Sequence, residues 1–155
     1  MALTTVSSSY ALLDQPHRLI VGNPCTPCAS AIASKDLRFG NGGRDKLCGE
    51  EGNDTLYGPK GYDYLMWGLG NDILSGGRRR DRFVLTAGSG PNLITDLTKG
   101  EDLLVLASCL TFAQLSITQN ANSAFIRIGQ NGQLLAALNG VPASAIALND
   151  FTIFG

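Results

Sequence analysis

Residues 40–84 form five consecutive nine-residue units, which read "GNGGRDKLC", "GEEGNDTLY", "GPKGYDYLM", "WGLGNDILS" and "GGRRRDRFV". A degenerate unit, "AIASKDLRF", precedes them at residues 31–39. The sixth position of every unit is aspartate, namely Asp36, Asp45, Asp54, Asp63, Asp72 and Asp81. Two residues after the last five aspartates comes a large apolar side chain: Leu47, Leu56, Leu65, Leu74 and Phe83. A strict period of this length is typical of a repeat architecture.

The period excludes an amphipathic helix, because one apolar residue per nine is too few for a helical face and glycine opposes helix formation. The triplet centred on each apolar residue predicts a short strand. The residues before it predict a tight turn, in which glycine can take positive φ. Two units would make one coil of eighteen residues, with a strand on each side. We therefore predict an all-β fold: a parallel β-roll, or right-handed β-solenoid, in which Leu47, Leu65 and Phe83 face Leu56 and Leu74.

This core is too thin to hold the roll without further stabilisation. One buried leucine per unit contributes roughly 2–3 kcal/mol, whereas ordering nine residues costs about 1 kcal/mol or more for each residue. Stacking places residue i beside residue i+18, so Asp54 would lie over Asp72 at a coil spacing of about 4.8 Å. Two carboxylates at that distance repel each other unless a cation lies between them.

Oxygen donors from aspartate and from glycine-rich backbone favour Ca²⁺ as that cation. Zinc would require histidine or cysteine, and neither residue recurs at a fixed position of the nine-residue unit. The alternative is that each aspartate forms an Asx turn without metal, which does not account for the stacking of like charges. The predicted ligands are the six aspartates, the glycines two residues before the inner four, and the asparagines of the two "GND" turns: Asp36, Asp45, Asp54, Asp63, Asp72, Asp81, Gly43, Gly52, Gly61, Gly70, Asn53 and Asn71.

Three arginines, Arg78, Arg79 and Arg80, precede Asp81 in the last unit. One hypothesis is that a guanidinium replaces the metal between Asp63 and Asp81. The other is that these side chains project into solvent. The sequence leaves both open.

The units resemble the RTX nonapeptide, G-G-x-G-x-D-x-U-x, of hemolysin-type calcium-binding proteins, in particular cyanobacterial-like C-terminal RTX domains. The resemblance implies calcium binding between stacked turns. The following segment, "ITDLTKGEDLLVL" at 94–106, is similar to the one that succeeds the last repeat in many RTX proteins. One interpretation places an additional calcium at Asp96 or Asp102.

The C-terminal part predicts a small antiparallel cap, because "QNG" at 130–132 separates two apolar segments and is typical of a hairpin turn. A cap would close the open end of the roll. We therefore divide the chain into an N-terminal segment (1–30), for which degenerate repeats are one interpretation, an RTX β-roll (31–84) and a C-terminal β cap (85–155).

The last residues, "NDFTIFG", are similar to the endings of type I ABC exporter substrates, and the N-terminus does not have the features of a Sec signal peptide. The resemblance implies a type I exporter as partner through the C-terminus, a cytoplasmic chain before export and an extracellular one afterwards. Extracellular calcium modules have a Kd of about 10⁻⁴–10⁻³ M, so the roll would fold on meeting calcium outside the cell.

Other function classes receive less support. A net charge of −1 does not indicate nucleic-acid binding, and no apolar run is long enough to span a bilayer. The motifs HExxH and GxSxG do not occur, so we predict that the chain is not an enzyme. The alternative is a calcium-binding and secretion module of a larger secreted enzyme, protease-like or lipase-like. Cys25 and Cys28 in "CTPC" could be half a zinc site, a redox pair or structural thiols.

Overall fold

The computed structural model of the protein describes residues 35–107 and 110–153, which are built almost entirely from short strands. Short 3₁₀ turns occur at Phe112–Gln114, Ala143–Ala145 and Leu148–Asp150. In this part of the chain no helix is long and apolar enough to cross a membrane. The all-β prediction is confirmed. The strands are β1 (Leu37–Phe39), β2 (Lys46–Glu51), β3 (Thr55–Tyr57), β4 (Tyr64–Leu69), β5 (Ile73–Ser75), β6 (Arg82–Leu85), β7 (Asn92–Ile94), β8 (Leu103–Leu106), β9 (Leu115–Asn120), β10 (Ser123–Ile128), β11 (Leu134–Leu138) and β12 (Phe151–Ile153).

Successive repeat strands enter two different sheets. One sheet has the order β1-β3-β5-β7-β11-β10-β9 and the other the order β12-β8-β6-β4-β2. Within the repeats every pair is parallel and joins residues eighteen apart, as in Leu47 with Leu65 and Leu56 with Leu74. This is the predicted β-roll with coils of two units.

The predicted apolar core lies between the two sheets. Leu56, Leu65, Leu74 and Phe83 are fully buried, and Leu47 is almost so. Two further side chains, Trp67 and Leu85, belong to the same core cluster. They lie two residues after Leu65 and Phe83. Because β4 and β6 are longer than three residues, the alternation of the strand points a second side chain inward.

Parallel pairing continues beyond the last unit, but with a changed spacing. In β7, Leu93 pairs with Ile73, twenty residues earlier, and in β8, Leu103 pairs with Arg82, twenty-one residues earlier. Strand β12 then adds to β8, also in parallel. The domain boundary after residue 84 remains a prediction, while the coil itself extends to Leu106.

The antiparallel region is continuous with the roll. Strands β9, β10 and β11 pair antiparallel, and β11 joins β7 of the roll in parallel. The predicted turn at residues 130–132 connects β10 to β11, and Gly132 has a φ of 70°. Ile126, Leu135 and Leu138 are fully buried in the same core cluster as the repeat leucines. The cap therefore closes one end of a shared core.

The outer face of the second sheet carries a smaller buried cluster. Cys48, Met66, Val84, Val105 and Ala107 form it. Cys48 is disulfide-bonded.

The predictions for the N-terminal segment 1–30, for Cys25 and Cys28, and for the last two residues of the export-like ending lie outside the described residues.

Candidate functional site

Two columns of carboxylates follow the edges of the roll, where the chain turns from one sheet to the other. The first edge contains the turns at 52–54 and 70–72, and its column is Asp36, Asp54 and Asp72. The second edge contains the turns at 40–45, 58–63 and 76–81, and its column is Asp45, Asp63 and Asp81. The structure therefore stacks the predicted aspartates in the predicted order.

One oxygen of each inner aspartate stabilises the stack. The backbone N–H of Asp54 donates to Oδ1 of Asp72 at 2.8 Å, and that of Asp63 donates to Oδ1 of Asp81 at 2.9 Å. The same bond joins Asp36 to Asp54 at 2.8 Å and Asp45 to Asp63 at 2.9 Å. Each coil is thus tied to the next by its aspartate, independently of any metal.

The second oxygen is buried and has no hydrogen-bond partner. This holds for Oδ2 of Asp54, Asp63, Asp72 and Asp81, whose residues are at most 1% exposed. Leaving a buried carboxylate oxygen without a partner is costly, because it loses its hydration and gains nothing in exchange. An ion or a proton at Oδ2 would remove this cost.

Glycine is required where the turns approach each other most closely. Gly61 has a φ of 152° and Gly70 a φ of 131°. A Cβ added at Gly61 would lie 1.8 Å from the carbonyl oxygen of Gly43, and one at Gly70 would lie 1.8 Å from that of Gly52. The backbone carbonyls of Gly43 and Gly52 are thus brought against the neighbouring turns at Gly61 and Gly70.

Burial changes the acidity of the columns. Desolvation raises the pKa of Asp54 from 3.8 to about 6, and the charges of Asp72 and Asp36 add to the effect. Desolvation likewise raises the pKa of Asp81 to about 7, with further contributions from Asp102, Asp63 and Asp96. Burial also raises the pKa of Asp63 and of Asp72. Burial thus disfavours the charged form of these carboxyl groups, and a cation beside them would favour it.

The acidic side chains meet as pairs rather than as larger groups. Across residues 35–107 and 110–153, no three side chains of histidine, cysteine, aspartate or glutamate form a cluster that could hold a metal. A calcium ion takes six to eight oxygens. Two carboxylates supply only part of that number, so backbone carbonyls would have to supply much of the rest.

The remaining predicted ligands occupy the outer parts of the turns. Asp36 is half-buried, and its Oδ2 accepts from Arg38 at 3.0 Å. Asn53 and Asn71 are exposed, and Oδ1 of Asn53 accepts from the backbone N–H of Asn71 at 2.8 Å. The asparagines therefore also join neighbouring coils, but with the opposite direction, since the backbone N–H of the later residue donates to the side chain of the earlier one. Whether any of the twelve predicted residues binds metal stays a prediction.

The sequence did not identify the residues that end the columns. Oδ1 of Asn92 accepts from the backbone N–H of Asp72, and Oδ1 of Asp102 accepts from that of Asp81, both at 2.9 Å. Their other polar atoms are satisfied by the protein. Asn92 Nδ2 donates to Ser89 and to the carbonyl of Leu135, while Oδ2 of Asp102 accepts from Thr98 at 2.7 Å.

A signal for these column ends was present in the sequence. Asn92 and Asp102 each precede a buried apolar residue by two positions, Ile94 and Leu104, as the repeat aspartates do. The period, however, had changed to twenty and twenty-one residues, so the nine-residue repeat did not place them in the columns, although the sequence had named Asp102 as a candidate for an additional calcium.

Asp96 accepts hydrogen bonds from the turn that precedes Asp81. Its carboxylate accepts from Ser75 Oγ at 2.7 Å and from the backbone N–H groups of Gly76 and Gly77 at 3.0 and 2.9 Å. The interpretation that placed an additional calcium at Asp96 or Asp102 gains no support, because hydrogen bonds from the chain occupy these carboxylates.

The hypothesis that a guanidinium replaces the metal between Asp63 and Asp81 is wrong. Arg78, Arg79 and Arg80 are exposed. In the described part of the chain, ion pairs are made by Arg38 and Lys99 but not by these arginines. Asp81 Oδ2 is buried beneath the turn, where the arginine side chains do not reach it.

Comparisons with known proteins agree with this architecture. A family model described as the RTX calcium-binding nonapeptide repeat, in four copies, matches residues 39–65 and 68–90. A search of curated proteins gives no significant match.

Several solved structures are similar. The AlgE6R3 subunit of the Azotobacter vinelandii mannuronan C5-epimerase has 25% identity and a TM-score of 0.57, over 78% of this chain and 81% of that one. The AlgE6R2 subunit of the same enzyme has 22% identity and a TM-score of 0.51, over 83% and 96% of the two chains.

The extracellular lipase LipA of Serratia marcescens has 22% identity and a TM-score of 0.52, over 74% of this chain but only 20% of the lipase. RTX repeat proteins are typically secreted, and the repeats themselves are typically non-catalytic. The chain therefore carries RTX calcium-binding nonapeptide repeats, which build its parallel β-roll and bind Ca²⁺.

Proposed function

We propose that the protein is an exported RTX module whose roll completes its fold when calcium binds at the two edges outside the cell. The observation that carries this proposal is the set of buried Oδ2 atoms without partners at Asp54, Asp63, Asp72 and Asp81. Each lies in a column where the other oxygen is already used by the backbone. One atom per aspartate is therefore free for an ion.

We infer the calcium ligands from the stacked pairs of aspartates. On the first edge, Asp54 and Asp72 would hold calcium together with the backbone oxygens of their turns. On the second edge, Asp63 would act with Asp45 on one side and Asp81 on the other. A bound Ca²⁺ supplies positive charge that offsets like charges in a dry site. The proposed set remains Asp36, Asp45, Asp54, Asp63, Asp72, Asp81, Gly43, Gly52, Gly61, Gly70, Asn53 and Asn71, of which Asp36 is the weakest because Arg38 already pairs with it.

The same residues would make folding depend on location. At neutral pH and low calcium, the carboxylates of a stacked pair must either repel each other or keep a proton against their ordinary acidity. Both states cost free energy at neutral pH, so the calcium-free chain would be loose enough to be threaded through an exporter. Calcium at tenfold excess over Kd adds about 1.4 kcal/mol for each site.

Two observations support an extracellular location. Cys48 is disulfide-bonded, and disulfides persist in oxidising compartments rather than in the cytosol. The similar Serratia lipase is itself extracellular.

Residues 149–153 of the export-like ending are folded, and β12 pairs with β8 of the roll. Phe151–Ile153 forms edge strand β12, while Asp150 is buried and pairs with Lys99. We propose that a type I exporter reads this segment in the unfolded chain, before β12 forms.

A second candidate is a module of a larger secreted enzyme. The chain covers only 20% of the similar lipase, and the similar epimerase structures are subunits of an enzyme. In that case, the calcium-dependent folding proposed here would be unchanged and the catalytic residues would lie elsewhere.

The test is a calcium titration followed by far-UV circular dichroism and calorimetry, on the full chain and on Asp54→Asn/Asp72→Asn. Asparagine keeps the Oδ1 acceptor and removes the charge. We expect the parent chain to gain β-structure with calcium and lose it with EGTA, and the variant to lose the first-edge sites. Glu101→Gln, an exposed acid outside the columns, is the matched control. A chain that stays fully folded and equally heat-resistant after rigorous chelation would contradict the proposal.

A further inference from the structure

The first strand of the roll differs from the other repeat strands at its inward position. In the five complete units the residue two positions after the aspartate is apolar, whereas in the degenerate unit before them it is Arg38. Arg38 pairs in register with the fully buried Leu56 of β3. Its neighbours Leu37 and Phe39 are 48% and 47% exposed, so the alternation of the strand points Arg38 to the core side of the sheet. A charged side chain thus lies at the end of the apolar core.

The guanidinium of Arg38 meets two carboxylates at the first edge of the roll. Its Nη2 atom lies 3.0 Å from Oδ2 of Asp36 and 3.4 Å from Oε2 of Glu50. All three side chains are mostly shielded from solvent, with exposed fractions of 27% for Arg38, 27% for Asp36 and 18% for Glu50. A guanidinium stays charged at any pH at which proteins are folded and donates in fixed directions. The contact therefore joins β1 of one sheet to β2 of the other through a permanent positive charge.

Asp36 is the first member of the column that continues with Asp54 and Asp72. In the two later aspartates, Oδ1 accepts a backbone hydrogen bond and Oδ2 is buried without a partner. In Asp36, Oδ2 accepts a hydrogen bond from Arg38. The guanidinium therefore lies beside the carboxylate oxygen that the proposed calcium would compensate in the later coils.

The second column starts with a different residue at the equivalent position. Its first aspartate is Asp45, and the residue two positions later is Leu47, which belongs to the apolar core. Among the lysines and arginines that the structure describes, ion pairs are formed by Arg38 and by Lys99, and Lys99 pairs with Asp150 in the C-terminal part. The two columns thus differ at their start because one unit carries arginine where the other carries leucine.

We propose that Arg38 is a built-in cation that takes the place of calcium at the start of the first column. This inference rests on the proposed calcium function, and it makes Asp36, the weakest of the proposed ligands, a partner of Arg38 in place of the metal. At the other end of the same column, Asn92 presents a neutral amide oxygen to the backbone N–H of Asp72. Protein groups then close both ends of the first column, and calcium is needed only for Asp54 and Asp72 between them.

A covalently attached cation differs from a bound ion in its dependence on concentration. Calcium stabilises a fold to the extent that its concentration exceeds Kd. Arg38, by contrast, has the same local concentration in every compartment and cannot be removed by a chelator. It therefore fixes the start of the roll without making that coil respond to calcium.

Counting the bound ions tests this assignment. Native mass spectrometry and calorimetric titration of the calcium-stripped full chain give the number, and circular dichroism verifies the fold in saturating calcium. The informative variant is Arg38→Leu, which introduces the residue found at this position in four of the five complete units. We expect it to bind one more calcium ion per chain than the parent. Its unfolding free energy should also depend more steeply on the logarithm of the calcium concentration, by one ion.

Two further variants assign the additional ion and control for the loss of charge. Asp36→Asn in the Arg38→Leu chain should remove the additional ion, whereas Asp36→Asn alone should leave the parent number unchanged. Lys35→Leu removes a positive charge next to Asp36. Lys35 is exposed and takes no part in the ion pairs of the described residues, so this control should also keep the parent number.

Three results would overturn the inference: Arg38→Leu binds the same number of ions as the parent, Lys35→Leu gains an ion as well, or Asp36→Asn alone loses one. If Arg38→Leu does not fold in calcium, the ion count of Asp36→Asn decides. Each of these results leaves the proposed calcium function intact. A parent chain that binds no calcium would instead overturn the proposed function and this inference with it.

Discussion

The repeats and the C-terminal part differ in whether the protein satisfies their buried polar groups. In the repeats, Asp54, Asp63, Asp72 and Asp81 each bury an oxygen that the protein does not satisfy. In the C-terminal part, the buried Asn92, Asp102 and Asp150 are all hydrogen-bonded or ion-paired. The comparison predicts that the proposed dependence on calcium is confined to the repeats, whereas apolar packing and satisfied polar groups stabilise the C-terminal part without it.

Removing calcium should separate the two regions most clearly. We expect the backbone amides of β3 to β6 to lose most of their protection against hydrogen exchange in EGTA. Those of β10 and β11 should keep more of it, because their core residues Ile126, Leu135 and Leu138 are fully buried. Hydrogen exchange with mass spectrometry measures both regions in one sample. Equal loss in the two regions would show that they fold as a single unit.

The same substitution, aspartate to asparagine, can be made in the repeats at Asp72 and in the C-terminal part at Asp102. Both substitutions keep the Oδ1 atom that accepts a hydrogen bond from the backbone N–H of the preceding coil. We expect Asp72→Asn to lower the unfolding free energy by about 1–3 kcal/mol in calcium and to raise it in EGTA, because it removes a buried, uncompensated charge. Denaturant unfolding with and without calcium measures both values.

Asp102→Asn should behave differently from Asp72→Asn. We expect it to leave calcium binding unchanged, since both oxygens of Asp102 accept hydrogen bonds from the chain. Its effect should therefore have the same sign and a similar size in the two conditions. A change of sign for Asp102→Asn would place a metal at the column end.

The pH dependence of the calcium-free protein should also come from the repeats. The pKa of Asp54 is about 6 and that of Asp81 about 7 in the folded protein, against 3.8 for an ordinary aspartate. The folded state therefore binds more protons than the unfolded state between these values. This contribution to stability is full below about pH 4 and is lost as the pH rises through 6 to 7.

Calcium should reverse this trend, because protons and metal compete for the same oxygens. Thermal midpoints measured between pH 5 and 8, in calcium-stripped and in calcium-saturated buffer, would show opposite slopes. Asp81→Asn should flatten both curves. Parallel curves in the two buffers would argue against shared oxygens.

The smallest expected effect lies in the cap hairpin. Gly132 has a φ of 70° and open space around its Cα, so Gly132→Ala meets backbone strain but no steric clash. We expect a loss of about 1 kcal/mol that is independent of calcium. By contrast, Gly61→Ala would place a Cβ 1.8 Å from the carbonyl oxygen of Gly43, and its cost should be several times larger.

Much of the repeat region could be predicted because its period is local. A spacing of nine residues places Leu47 beside Leu65 and Asp54 beside Asp72 without knowledge of any distant part of the chain. The candidate site was predictable for the same reason, down to the glycines that allow the close approach of the turns. The hairpin at residues 130–132 followed from its turn residues.

The sequence by itself determined the coil, the inward leucines and the stacked aspartates, since each follows from the alternation of strand and turn at a constant spacing. Only the tertiary structure decided where the columns end, because Asn92 and Asp102 reach them through spacings of twenty and twenty-one residues. It also decided that Trp67 joins the core and that Arg79 lies over Tyr62 rather than beside Asp81. These outcomes depend on strand length and on the depth of the turn, which no local period encodes.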